Sequence, residues 1–168
     1  MLTPKSLNAD RFVSVFLAVQ FAEKALPVWE AEYPKDMRPR KAIEAAKEWL
    51  KNPSGEYSAA EAVIAQAAHE AAIHYATVDS ASSAAYAASS ALAAIYSKAY
   101  VAWAADSTSQ ALEVDKESLI HEVILENLDW ILQYKIENGQ SFAHPELILD
   151  YLSEEQKQRF LFNLDRVA

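Results

Sequence analysis

The stretch from residue 59 to residue 105 constrains the fold of this chain more than any other. Twenty-one of its 47 residues are alanine, and it contains no glycine and no proline. Alanine has the highest helix propensity because it loses no side-chain entropy in a helix, and its methyl group lets neighbouring helices approach closely. β-Branched residues followed by strong N-cap residues at 77–80 predict a break in it. We therefore expect two core helices, one ending near Ala76 and one covering residues 80–105.

Apolar residues recur at helical spacing elsewhere in the chain too. They predict helices over residues 10–27, 39–51 and 118–135, and two short ones after residue 144. Ser58-Ala-Ala-Glu61 matches a capping box at the start of the alanine-rich region. With two glycines in 168 residues and no strand pattern, we predict an all-α fold. Its form is a single-domain bundle of six to eight helices around an alanine-rich helical pair.

Three further features predict where helices bend or end. Pro27 is expected to stop or kink the first helix, with a short continuation that carries Trp29 into the core. Ser89 and Ser90 are expected to bend or divide the second alanine helix. Residues 106–109, Asp-Ser-Thr-Ser, predict another break because these side chains favour caps over helix interiors.

Charge is unevenly distributed along the chain. The net charge is −9 overall, with +2 over residues 1–55, −4 over 56–112 and −7 over 113–168. Direct nucleic-acid binding is not expected, because it relies on basic side chains that neutralise phosphates. The acidic C-terminal third, residues 113–168, could face a basic partner, although a solvated helix face is the simpler interpretation. The candidate partner-facing acidic residues are Glu117, Glu122, Glu126 and Asp129.

The absence of cysteine excludes disulfides and thiolate chemistry, which suits a cytoplasmic protein. Residues 12–22 are apolar but too short to span a bilayer. Residues 83–105 are long enough, but alanine and serine make them only weakly hydrophobic. We therefore expect a cytoplasmic protein that does not enter the membrane.

No catalytic or metal-binding motif is present in the sequence. His69 and His74 are five residues apart, which places them about 140° apart around a helix, so they cannot converge on one metal ion. Glycine-rich phosphate loops and a Gly-x-Ser-x-Gly elbow are both missing. We expect no enzymatic activity, no catalytic residue, no metal and no cofactor.

A basic cluster precedes the alanine-rich region. Arg38 and Arg40, with Glu44, are candidate binding residues for an anion at the start of a helix. The favoured alternative is structural, with the arginines tied to Glu30, Asp36 or Glu44.

Aromatic residues in the alanine-rich region allow two interpretations as well. They could line a ligand groove, although packing in a core between close helices is the favoured interpretation. The residues concerned are Tyr75, Tyr86, Tyr96, Tyr100 and Trp103.

Residues 23–50 read EKALPVWEAEYPKDMRPRKAIEAAKEWL and are followed by repeats of the type Ala67-Ala68-His69 and Ala84-Ala85-Tyr86. This combination resembles the Imm-5-like putative immunity protein family, and the resemblance covers residues 11–105. It implies an all-helical fold and an immunity role, and it carries over no catalytic residue. Residues 113–168 are interpreted as an acidic C-terminal helical extension of the same domain. The residues that match the shared motif position by position are Arg38, Pro39, Arg40, Ala42, Ile43, Glu44 and Trp49.

The leading functional hypothesis is a non-enzymatic bacterial or phage binding protein, similar to an immunity protein or inhibitor. It would occlude a protein partner, either a toxin or a host or defence protein. One alternative is a small-molecule or anion-binding protein with a pocket near Arg38, Arg40 and the tyrosines. The other is a structural helical oligomer, in its simplest form a homodimer.

Overall fold

A computed structural model describes residues 4–53, 57–75, 79–127, 130–131, 154 and 158, with side chains from residue 11 onward. These residues form an all-α fold with no strand, as the sequence predicts. Its six helices are at the lower edge of the predicted count. In chain order they are α1 (Pro4–Glu32), α2 (Arg38–Lys51), α3 (Ala59–His74), α4 (Asp79–Ala93), α5 (Tyr100–Leu112) and α6 (Lys116–Glu126).

Helix α4 is the central element of the bundle. It packs against α1, α2, α3 and α5, and ten of its fifteen residues are buried. Small residues make this arrangement feasible, because four neighbours can approach a helix in which twelve of the fifteen residues are alanine or serine. Two serines of α4 donate hydrogen bonds to carbonyl groups of α3. Ser82 Oγ reaches the Ala72 carbonyl oxygen at 2.9 Å, and Ser89 Oγ reaches that of Ala65 at 3.0 Å.

Helix α1 crosses the bundle as one uninterrupted helix and contacts α2, α4, α5 and α6. The predicted stop at Pro27 is wrong, since α1 continues to Glu32 with this proline inside it. Pro27 is exposed, so its ring projects from the bundle while the surrounding turns are held by packing. Trp29, two residues later, is fully buried, which confirms the predicted role of this segment in the core.

By length and composition, the Arg11–Glu32 part of α1 is also able to cross a membrane. It has 22 residues, and its most apolar stretch of 18 residues has a mean hydropathy of 1.3. Half of that stretch is buried inside the protein, against the neighbouring helices. A buried core helix has the same apolar character as a membrane span, and α1 is such a core helix in this structure.

The predicted break between the two alanine helices is confirmed, because α3 ends at His74 and α4 begins at Asp79. The capping box that starts α3 is also present. Ser58 Oγ accepts from the Glu61 N–H at 3.1 Å, and the Glu61 carboxylate accepts from the Ser58 N–H at 2.6 Å.

The predicted boundaries of the second alanine helix are wrong. That helix was expected to cover residues 80–105, but α4 ends at Ala93 and α5 begins at Tyr100. Ser89 and Ser90 lie inside α4 and do not divide it. The break predicted at residues 106–109 is also absent, since these residues are in the middle of α5. There Thr108 is completely buried and Ser109 Oγ bonds back to the Asp106 carbonyl oxygen at 2.8 Å, so packing overrides the local preference.

Helix α6 packs on α5 and α1 through Leu119 and Val123, which are buried. Just beyond it, the Trp130 ring stacks on Phe16 of α1 with ring centroids 3.8 Å apart. The predicted helix over residues 118–135 is described as far as 127, and at 130–131. The short helices predicted after residue 144 lie outside the described residues, apart from positions 154 and 158.

Candidate functional site

The connector between α1 and α2 is held in place by its own backbone and by Trp29. The indole Nε1 of Trp29 donates to the Asp36 carbonyl oxygen at 2.8 Å, and the Asp36 N–H donates to the Tyr33 carbonyl oxygen at 3.0 Å. Tyr75, at the end of α3, stacks on Tyr33 with ring centroids 4.1 Å apart and meets Trp29 edge-on at 5.6 Å. An aromatic cluster thus joins the connector to α3.

Arg38 forms a two-armed ion pair with Asp36 inside this connector. Its Nε lies 2.9 Å from Asp36 Oδ1, and its Nη2 bonds to Oδ2. The same carboxylate accepts the Arg38 N–H at 3.1 Å, so Asp36 acts close to the start of α2 in the manner expected of a near-cap. These hydrogen bonds from Arg38 lower the pKa of Asp36, because they stabilise its charged form.

Arg40 is paired within the chain as well. Its Nε donates to Glu30 Oε1 of α1 at 2.6 Å, which ties the first turn of α2 to the last turns of α1. Glu44 is exposed on α2. Arg38 and Tyr75 line a shallow depression together with Tyr33, whereas neither Arg40 nor Glu44 lines it. An anion bound to Arg38 would have to displace the Asp36 carboxylate, and one bound to Arg40 would have to displace that of Glu30.

The acidic face of α6 is partly engaged in holding that helix. Lys24 Nζ of α1 lies 3.1 Å from Glu122 Oε1 and 3.1 Å from Glu126 Oε2, so one ammonium group is placed between two carboxylates one turn apart. The hydrogen bond to Glu122 is the main cause of a raised pKa at Lys24. The three groups together keep one net negative charge at the junction of α1 and α6.

Glu117 lies apart from that junction, in the first turn of α6. It is exposed and lines a depression with Asp115, Ser118 and His121. Asp115 is the N-cap of α6, where its carboxylate accepts the Ser118 N–H at 2.9 Å, and this bond lowers its pKa. The structure therefore divides the predicted acidic residues that it describes, all of them exposed, into a pair, which binds Lys24, and Glu117, which lies apart from it. Asp129 lies outside the described residues.

A larger cleft opens between α3, α4 and α5, with a volume of about 680 Å³. We call it the aromatic cleft, since four aromatic rings and one imidazole line it together with small and polar residues. Its aromatic lining consists of Tyr57, His69, Tyr86, Tyr100 and Trp103, and its other lining residues are Ala62, Ala65, Gln66, Ser89, Ser90, Ala93, Asp106, Ser107 and Gln110.

Rings from all three helices line the cleft. The His69 ring meets Tyr86 edge-on at 5.0 Å across α3 and α4, and Tyr100 lies 6.0 Å from Trp103 on α5. Burial raises the pKa of Tyr57, with the charge of Glu61 as a lesser cause, so its hydroxyl group stays protonated. The volume is within the range of small-ligand sites, about 300–1,000 Å³.

The tyrosines predicted as a group are placed in different surroundings. Tyr86 and Tyr100 are half-buried beside the cleft, whereas Tyr75 belongs to the connector cluster. Core packing is the wrong interpretation for Tyr96 and Trp103, which are 68% and 66% exposed.

Sequence reasoning missed Tyr57 and Asp106 as neighbours of these rings. Tyr57 directly precedes the capping serine, which fixes its position at the start of α3. Asp106 follows Trp103 by three residues, a spacing that puts both on one face of a helix, provided that residues 106–109 are recognised as helical.

The two histidines of α3 lie in different surroundings. His69 lines the aromatic cleft, and His74 meets Tyr75 edge-on with ring centroids 4.7 Å apart. In the part of the chain that the structure describes, no group of three histidine, aspartate or glutamate side chains is arranged to hold a metal ion.

Compared with models of protein families, the chain matches the model described as "Imm-5 like putative immunity protein" over residues 8–137. The matched segment extends past residue 105 and includes α6. Comparisons with curated proteins and with solved structures gave no match.

Proposed function

The chain belongs to the Imm-5 like putative immunity protein family, and from this premise we propose that it is a non-enzymatic binding protein that occludes a protein partner. The partner class is a toxin, or a host or defence protein if the gene is of phage origin. The observation that carries the proposal is the family match, which includes 130 of the 168 residues and all six helices apart from the first residues of α1.

The charge distribution supports a basic partner surface. The chain has a net charge of −9, and Glu117 is an exposed carboxylate in the first turn of α6. Opposite charges on two proteins accelerate their encounter and select against wrong partners, most strongly at low salt. We therefore propose the exposed acidic face of α6 as a contact surface, formed by Glu117 together with Glu122 and Glu126, which also hold α6 to Lys24.

The ion pairs at the connector count against the anion-binding alternative. Arg38 is paired with Asp36 and Arg40 with Glu30, so both guanidinium groups already have carboxylate partners. The oligomer alternative depends on exposed alanine faces, whereas most alanines of α4 are buried inside this one chain. Light scattering that finds a stable dimer would favour the oligomer alternative.

The test begins with capture of partners by the purified chain from cells of the source organism, at low and at high salt. The captured protein is then produced alone and combined with the chain. We expect a binary complex that is weakened by salt and a partner that loses its activity or toxicity in that complex. Failure to capture any partner at low salt, or a bound partner that remains fully active, would contradict the proposal.

Charge-reversal variants locate the contact. Glu117→Lys is expected to weaken the complex, because it places a cation opposite a basic partner surface. Glu44→Lys on α2 is the matched control, since Glu44 is also exposed but lies on a different helix. If both variants weaken binding equally, the effect comes from net charge and the α6 face is not the contact.

A further inference from the structure

The aromatic cleft combines flat rings with a carboxylate on one helix face. Tyr100, Trp103, Asp106 and Gln110 follow one another along α5 at spacings of three, three and four residues, and all four line the cleft. Residues at these spacings lie above one another on a helix, so the carboxylate is one turn from the indole. Trp103 leaves most of its ring open to solvent, and hence open to a ligand.

The charges around the cleft favour a cation. Asp106 is the one carboxylate among its described lining residues, and no lysine or arginine lines it. The negative charge of Glu61 acts on Tyr57 at the other side of the cleft. Aromatic faces attract cations as well, and a guanidinium group stacks on rings and pairs with a carboxylate at the same time.

An internal cation already competes for this carboxylate. Lys116 Nζ, at the start of α6, lies 3.3 Å from Asp106 Oδ1, and Gln110 Nε2 donates to Oδ2 at 3.0 Å. About half of each side chain of this ion pair is exposed. Exposed pairs of this kind contribute little to stability, so an incoming cation can replace Lys116 at small cost.

We propose that the aromatic cleft binds an arginine side chain of the protein partner, with the guanidinium stacked on Trp103 or Tyr100 and paired with Asp106. This inference rests on the proposed function and specifies the chemistry of the partner. The cleft and the acidic face are neighbours, because Lys116 pairs with Asp106 of α5 and lies in the first turn of α6, directly before Glu117 in sequence. One basic partner surface can therefore contact both.

The probe is a short capped peptide with one central arginine among glycines and alanines, titrated into the purified full-length chain. Its matched partner carries citrulline, which has the shape of arginine but no charge. Nuclear magnetic resonance follows the indole N–H signals of the four tryptophans. We expect the Trp103 signal to move on addition of the arginine peptide, with a dissociation constant on the order of millimolar. The signal of the buried Trp29 should stay in place.

Two variants with opposite expected effects test the role of charge. Asp106→Asn should weaken binding of the arginine peptide about two- to fivefold, because the peptide guanidinium loses its ion pair with Asp106. Lys116→Ala should strengthen it by a similar factor, since it removes the competing cation. Glu48→Gln and Lys51→Ala, which make the same charge changes at an exposed ion pair of α2, should leave the dissociation constant unchanged. Circular dichroism confirms that each variant is folded.

Several outcomes would overturn the inference. Equal binding of the citrulline peptide would show that charge is not recognised, and equal binding of a lysine peptide would remove the assignment to arginine. Weaker peptide binding by Lys116→Ala would exclude Asp106 as the acceptor, and so would a titration in which signals other than the Trp103 indole N–H move instead. Because the titration uses the chain alone, it can fail while the partner complex still forms, and it can succeed when no partner is captured.

Discussion

Helices α3 and α4 have nearly the same composition but different places in the bundle. Alanine makes up eight of the sixteen residues in α3 and seven of the fifteen in α4. Four residues of α3 are buried, whereas ten of α4 are. Alanine content therefore specifies that a segment is helical, but it does not specify whether the helix is central or peripheral.

The polar residues between the alanines make the difference. Helix α3 carries Glu61, Gln66 and Glu70, and a charged side chain has to reach water. In α4 the residues after Asp79 are uncharged, and two of its serines, Ser82 and Ser89, donate hydrogen bonds to carbonyl groups of α3. Short hydroxyl side chains can be buried when they find such acceptors. As a result α4 is surrounded by neighbouring helices, whereas α3 packs on α4 and α2 through one buried alanine face, with its start fixed by the capping box and its end by Tyr75.

The largest expected difference between these helices comes from enlarging an alanine. Ala88→Leu in α4 should lower the free energy of unfolding by about 2–3 kcal/mol, because the added atoms have no space at a fully buried site. Ala60→Leu in α3 is the matched control and should change it by less than about 0.5 kcal/mol, since Ala60 is exposed. Urea unfolding followed by circular dichroism measures both. Similar losses in the two variants would break the comparison.

The C-terminal end of α3 provides the second test. Tyr75→Ala should cost about 2 kcal/mol, because it removes the stacking on Tyr33 and the edge contact with Trp29 along with the other contacts of a half-buried ring. Tyr96→Ala removes the same atoms from an exposed site and should cost less than about 1 kcal/mol. Thermal melting of the two variants compares them directly. A larger loss in Tyr96→Ala would show that α3 is not held at this end.

A pH titration tests the connector on which Tyr75 packs. Arg38 lowers the pKa of Asp36 in the folded chain, so the ionised carboxylate stabilises the fold above its unfolded pKa of about 4. That stabilisation is lost as the pH falls through the lowered pKa. Asp36→Asn should therefore cost about 1 kcal/mol at neutral pH and progressively less in acid. Unfolding of both chains across this pH range measures the difference, and a constant difference would contradict the assignment.

The smallest expected effect concerns the other end of α3. Ser58→Ala removes one half of the capping box and should cost about 0.5–1 kcal/mol. Ser58→Asp keeps an acceptor for the Glu61 N–H and should retain most of the stability. Urea midpoints that are equal for the alanine and aspartate variants would show that the cap contributes nothing.

Local signals predicted part of this fold well. The capping box located the start of α3, and β-branched and capping residues located the break before α4. Each of these signals acts within one turn of helix, so the sequence shows them directly. The pairs of Arg38 with Asp36 and of Arg40 with Glu30 also join residues no more than ten apart in the chain. Both carboxylates are among the structural partners that the sequence suggests for the arginines.

Tertiary effects account for what was not predicted. No glycine or proline marks the break after Ala93, where the Ser97 hydroxyl accepts the Ala99 N–H at 3.3 Å. Without that break α5 could not pack on α4 and α1, so the sequence does not predict the aromatic cleft as one site. The residues 106–109 also favour caps by themselves, and only the burial of Thr108 and Ser109 explains why they are helical.

The methyl-lined centre of the bundle has a thermal consequence. Each buried alanine removes less apolar surface from water than a leucine or phenylalanine would, and the heat capacity of unfolding is set by that surface. The heat capacity of unfolding per residue should therefore fall below the usual range of about 12–15 cal/mol/K. Such a chain would have a flat stability curve, with a free energy of unfolding that changes little between cold and warm conditions.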